Sequence, residues 1–129
     1  MEAKVLKQFQ VEYEPPRYNG FNASGWQPLG DNVLVKPDVT RRKTVGGVEL
    51  PDDLADRMDL MSITGVVVAL GDDAYKWNAD RTRPFAGVKP KEGDRIIFEK
   101  YAGKVITGED GDSYRILEDK SIGGVKIKT

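Results

Sequence analysis

Thr40-Arg41-Arg42-Lys43-Thr44-Val45-Gly46-Gly47-Val48-Glu49-Leu50-Pro51, with the polar chain that runs on to Met61, separates two segments that read as β-strands. Ahead of it, Val33, Val35 and their neighbours alternate as a strand does. Behind it, Val66-Val67-Val68-Ala69-Leu70 is wholly apolar. A connection of about twenty residues inside a compact domain is uncommon and is usually functional or disordered. Val48 and Leu50 lie near its middle, two apart and directly after two glycines. In extended chain, residues two apart point the same way. A flexible arm of this design presents two apolar knobs to a partner's groove, with Glu49 pointing away. A β-hairpin tip, or a strand whose apolar face joins the core, is the alternative reading of Val48 and Leu50.

Outward from that segment the chain reads as all-β from Leu29 onward. Residues 32–36 form a first strand, closed by Pro37, which has no N–H to give a ladder. Residues 63–70 form a second, apolar on both faces and therefore central. Residues 94–99 form a third after the turn signal Pro90-Lys91-Glu92-Gly93. Residues 104–107 and 113–117 make a hairpin around Asp110-Gly111, a dipeptide suited to turn positions with φ > 0. In the last strand, residues 122–128, Val125 and Ile127 alternate with Lys126 and Lys128. Short strands with turn signals between them indicate a small barrel or sandwich. The insertion at 72–90 reads as a projecting hairpin, residues 75–77 facing 85–88, or as a plain excursion.

Residues 1–27 differ in character. They hold Pro15-Pro16, scattered aromatics (Tyr13, Tyr18, Phe21, Trp26) and no helical period. They read as an extended arm with a short strand at 7–13, where Phe9, Val11 and Tyr13 alternate. Such an arm is expected to add little to the core, its aromatics covering a face of the barrel. The domain proper then spans 28–129.

Composition narrows the function. The 129 residues carry 20 Lys and Arg against 21 Asp and Glu, a net charge of -1. That balance disfavours a partner held by bulk charge, such as duplex nucleic acid or an anionic membrane. With no Cys there is neither a disulfide nor a thiolate metal site. With no His the commonest metal ligand and the commonest acid–base group near neutral pH are missing. No apolar run reaches the roughly 20 residues that span a bilayer, and the first residues lack a signal-peptide apolar region. The expectation is a cytoplasmic protein that is not an enzyme, with no cofactor, no metal and no catalytic residue.

Other clusters have bland readings. Glu109-Asp110-Gly111-Asp112 lacks the alternating oxygen ligands of a calcium loop and reads as a solvated turn. Asp52-Asp53 and Asp72-Asp73 have no nucleophile or His beside them. Tyr75, Trp77 and Phe85 with Arg81 and Arg83 resemble a stacking platform for single-stranded nucleic acid; a packed aromatic cluster is the alternative. Gly123-Gly124 reads as a bend, since no helix start follows it.

Six blocks, in order, resemble the GroES-type co-chaperonins. Pro28-Leu29-Gly30-Asp31 leads into the first strand, and Gly46-Gly47-Val48-Glu49-Leu50 is similar to the signature of that family's mobile loop. Gly65-Val66-Val67-Val68-Ala69-Leu70-Gly71 resembles the strand after the loop, and Lys91-Glu92-Gly93-Asp94 the turn into the next. Tyr101-Ala102-Gly103-Lys104 and the run from Ser113 to Ile122 complete the set. The resemblance implies a small irregular GroES-like β-barrel with a mobile loop at 40–61 and a roof hairpin at 72–90. It implies a homo-oligomeric ring, a heptamer, that caps an ATP-driven chaperonin of GroEL type and assists folding of encapsulated proteins. Gly46, Gly47, Val48, Glu49 and Leu50 are then the chaperonin-binding residues. The last strand would pair with residues 32–36 of a neighbouring subunit. Non-native proteins would be partners indirectly, with no nucleic acid or membrane involved.

Three departures stand out: the added arm, the loop's continuation through Asp52, Leu54 and Met58, and Glu49 where an apolar residue is common. They would suit a divergent or virus-encoded version acting in a host cytoplasm. The rival reading is a small β-barrel module that binds nucleic acid or a ligand.

Overall fold

In the computed structural model, which describes residues 13–40, 62–78 and 80–127, the two strand signals that flank residues 41–61 lie side by side. In chain order the strands are β1 (Tyr13–Glu14), β2 (Asn32–Pro37), β3 (Val39–Thr40), β4 (Thr64–Leu70), β5 (Arg95–Phe98), β6 (Lys104–Thr107), β7 (Ser113–Glu118) and β8 (Ile122–Val125). A single turn of 3₁₀ helix, Asp119–Ser121, joins β7 to β8. β1 and β3 pair with each other, and the other six form an antiparallel sheet in the order β6-β7-β2-β4-β5-β8.

β4 is central because its side chains are apolar on both faces, and its interior is buried from Gly65 to Ala69. One face of β2, β4, β5 and β7 supplies Val33, Val35, Val67, Ile96, Phe98 and Leu117 to a single buried cluster. Ile122 and Val125 of β8 and Tyr75 of the 72–90 insertion join it, so the sheet curls round this core into a small barrel. Bulges help it bend, one between Leu34 and Val35 and another between Ile97 and Phe98. The alternate side chains, Leu34, Val68, Ala69 and Tyr114, form a second buried cluster on the outer face.

That outer cluster is a face that the N-terminal arm covers, as expected of its aromatics, whereas a buried polar residue in the arm is not part of that expectation. Tyr18 packs against it, and Ser24 is wholly buried. Ser24 sits in a tight turn: Asn22 Oδ1 accepts from the Ser24 hydroxyl at 2.6 Å and from its amide at 3.0 Å, and the Trp26 amide donates to Ser24 Oγ at 3.0 Å. The Ser24 carbonyl in turn accepts from the Glu109 amide. The sequence pattern misses this because the turn is stabilised by polar contacts rather than apolar period. The strand expected at 7–13 lies mostly outside the described residues, which begin with Tyr13 in β1.

β2 is paired on both sides, to β4 and to β7, from Val33 to Val35. It therefore has no open edge there, and the expectation that it pairs with a neighbouring subunit's last strand does not hold for this strand. The outer strands of the six-stranded sheet are β6 and β8. Of the 122–128 reading, β8 takes Ile122–Val125, the Lys126 amide still donates to the Arg95 carbonyl, Ile127 is exposed, and Lys128 lies outside the described residues.

The 104–117 hairpin forms as its turn chemistry dictates, with Gly111 at φ 85° and Thr107 opposite Ser113. In the 72–90 insertion, Trp77 bridges to Pro84, the Asn78 amide donates to the Arg83 carbonyl and the Phe85 amide to the Lys76 carbonyl. It is a hairpin, set one step tighter than the expected facing of 75–77 with 85–88.

Candidate functional site

The five residues predicted to bind a partner, Gly46, Gly47, Val48, Glu49 and Leu50, lie outside the described residues. The structure does describe the two ends from which their segment hangs, and those ends are clamped. On the leaving side, Asp38 is 5% exposed directly after β2. Its carboxylate accepts from Arg95 Nη1 at 2.6 Å and Nη2 at 2.8 Å, and from the Thr64 hydroxyl at 2.6 Å. Its amide donates to the Thr64 carbonyl at 2.9 Å. Hydrogen bonding to Asp38 raises the Arg95 guanidinium above its already high ordinary value, with burial opposing. A paired, hydrogen-bonded carboxylate is the form in which a buried charge is tolerated.

On the returning side, Ser62 is 2% exposed, its hydroxyl donates to the Thr64 carbonyl, and its carbonyl accepts from Arg115 Nη1 at 3.3 Å. Arg115 is itself buried, its guanidinium 5.0 Å over the Phe98 ring, and burial lowers its pKa. Among the described residues its Nε has no hydrogen-bond partner, and the cation is held by a carbonyl and an aromatic face. Between the two clamps the strands touch: a Cβ on Gly65 would lie 2.7 Å from the Lys36 carbonyl oxygen and 2.9 Å from Pro37 Cα. Glycine is what lets β4 approach β2 so closely.

In the 72–90 hairpin, Tyr75 takes the left-handed region at φ 58° and is fixed by Asp119, whose carboxylate accepts from its amide and whose carbonyl accepts from its hydroxyl, both at 3.0 Å. Phe85 meets the Tyr75 ring edge-on at 5.3 Å. Arg81 pairs with Asp31 at 3.0 Å. Tyr75 and Phe85 are thus used in core packing, as the packed-cluster alternative has it, and do not form an open stacking platform. An apolar groove of about 370 Å³ remains between this hairpin (Trp77, Phe85, Val88) and β8 (Ile122, Val125). The Glu109–Asp112 turn is used internally: Asp110 accepts from the Tyr114 hydroxyl at 2.5 Å and from the Asp112 amide at 3.2 Å. Among the described residues no group of three or more acidic side chains is placed to hold a metal ion, and no helix is long and apolar enough to cross a membrane.

From residue 26 to residue 126 the chain is matched by the family described as chaperonin 10 Kd subunit. The chain belongs to that family. Curated relatives named co-chaperonin GroES agree. The protein from Treponema denticola is 38% identical over 96 residues, covering 74% of this chain and 91% of that protein. Those from Limosilactobacillus reuteri and Anoxybacillus flavithermus are 32% and 38% identical, each over 74% of this chain and 93% of theirs. The co-chaperonin role follows from this membership, and with it a place in protein folding. In this co-chaperonin the family match takes in β2 to β8, while β1 and Tyr18 lie ahead of it. Asp38, Thr64, Arg95 and Arg115 were not among the residues singled out from sequence. Asp38 and Arg95 are 57 positions apart, and no local signal joins them.

Proposed function

We propose that the chain assembles into a seven-membered ring that caps an ATP-driven chaperonin of GroEL type and assists folding of the proteins enclosed beneath it. Its division is an arm at 1–27 and a barrel domain at 28–129, with the docking loop at 40–61 and the roof at 72–90. Val48 and Leu50 enter an apolar groove on the chaperonin, Gly46 and Gly47 allow the approach, and Glu49 stays at the rim. The protein performs no chemistry of its own and works in the cytoplasm, the host's where the chain is virus-encoded. Non-native proteins are partners only through the chaperonin.

The observation that carries this reading is the pair of clamps at the base of residues 41–61, within a chain of the co-chaperonin family. Asp38–Arg95–Thr64 and Ser62–Arg115 fix both ends of the segment at one place on the barrel. A segment anchored this way orders at a cost in conformational entropy when it binds, so each site is weak. A ring of such sites recovers affinity by multivalency while leaving the partner releasable. The test is sedimentation with a GroEL-type chaperonin: association should require nucleotide. Equal association with and without nucleotide, or none under any condition, overturns the proposal.

A further inference from the structure

The N-terminal segment is wired to the strand from which the docking loop leaves. β1 pairs antiparallel with β3, Tyr13 opposite Thr40 and Glu14 opposite Val39, directly before residue 41. Two further contacts stitch the same segment to β2. The Lys36 ammonium donates to the Arg17 carbonyl at 2.6 Å, and Tyr18 packs on the cluster of Leu34, Val68, Ala69 and Tyr114. Lys36 is nearly buried, 8% exposed, and is held in place by Asp112 at 2.8 Å and by the face of the Tyr114 ring. So residues 13–18 run along the line β2–Asp38–β3, and all of them lie ahead of the family match, which starts at residue 26.

We infer that residues 13–18 are a positioning brace for the docking loop, an addition this chain makes to the co-chaperonin barrel. The inference rests on the docking role proposed for residues 40–61. Among the described strands, the two-residue β3 has no ladder in the six-stranded sheet, and β1 is what pairs with it. Backbone pairing at this point limits the directions in which the chain can leave the barrel. A binding segment whose exit is already fixed loses less freedom when it docks, so the brace raises affinity without touching the partner. Being repeated in every subunit of a ring, a small gain per loop is multiplied.

The chain has no cysteine, so a designed pair is the sole thiol pair present. Directly opposed residues of an antiparallel pair have Cα atoms about 4.5–5.5 Å apart, within reach of a disulfide. In the full chain, Glu14→Cys with Val39→Cys should therefore cross-link on mild oxidation. The oxidised protein should bind the chaperonin more tightly than its own reduced form. Glu14→Pro, which removes a backbone donor from β1, should weaken capping about tenfold with ring mass and thermal midpoint kept. Should Glu14→Pro fail to fold, the oxidised and reduced forms decide the matter between them. Thiols that do not cross-link overturn the pairing. Unchanged affinity in both the oxidised form and Glu14→Pro, in an assay where Leu50→Ser abolishes capping, overturns the brace. Capping that survives Leu50→Ser removes the docking reading itself, a distinguishable failure.

Discussion

Arg95 holds Asp38 with both arms of its guanidinium, at 2.6 and 2.8 Å, where the chain leaves the barrel for residues 41–61. Asp38 is buried while the Arg95 side chain is 34% exposed, so the pair is screened on one side. An amide in place of the carboxylate removes the charge and leaves one acceptor oxygen for the three donors of Arg95 and Thr64. Asp38→Asn should cost about 1–3 kcal/mol, below the range for a fully buried pair because of that screening. Arg95→Lys keeps the charge, loses the fork and should cost less. Urea unfolding of the two variants beside the parent checks the order.

Gly65 marks a close approach of β4 to β2. A methyl there would press on the Lys36 carbonyl and Pro37 Cα, both backbone atoms with little room to give. Gly65→Ala should destabilise the domain by about 1–3 kcal/mol. Loss of amide protection in hydrogen exchange at Lys36 and Val66, which face each other across the pair, should accompany it. A variant as stable as the parent would show that the strands part at no cost.

The Asp110–Tyr114 contact makes stability depend on pH at both ends. Burial alone would raise the Asp110 carboxyl, but the Tyr114 hydroxyl, the Asp112 amide and Lys36 outweigh it and hold it below the usual range. As pH falls below about 4, the unfolded chain binds this proton before the folded chain does, so the contribution present above that pH is lost. Burial, then the hydrogen bond to Asp110, raises Tyr114. Above about pH 10 the unfolded chain gives up the phenolic proton first, so stability falls there as pH rises. Asp110→Asn should flatten the acid limb of a plot of thermal midpoint against pH and soften the alkaline one. An unchanged acid limb would contradict the assignment.

For the docking segment, burying an aliphatic side chain contributes roughly 1.5–3 kcal/mol. Lost from every loop of a ring, even the lower figure becomes a very large change in avidity. Val48→Ser and Leu50→Ser should each abolish chaperonin capping while leaving circular dichroism and ring mass unaltered. Glu49→Ala should have a smaller effect, or strengthen binding to a wholly apolar groove. Full capping by both serine variants would refute the assignment.

What the sequence determined by itself was whatever short-range pattern controls. The apolar run Val66-Val67-Val68 marks the central strand because both faces of that strand are buried. Asp110-Gly111 makes its hairpin because the turn needs a residue at positive φ. The ordered blocks from Pro28 to Ile122 were enough to place the chain in its family, since their spacing records strands and turns that form locally. The tertiary structure decided the contacts between distant positions. Asp38 finds Arg95 across 57 residues, Arg115 reaches the Ser62 carbonyl across 53, and β1 lies against β3. It also decided that β2 is paired on both sides and that Ser24 is buried. Those contacts join groups that no periodicity links, and they become favourable only once the barrel has removed water from around them.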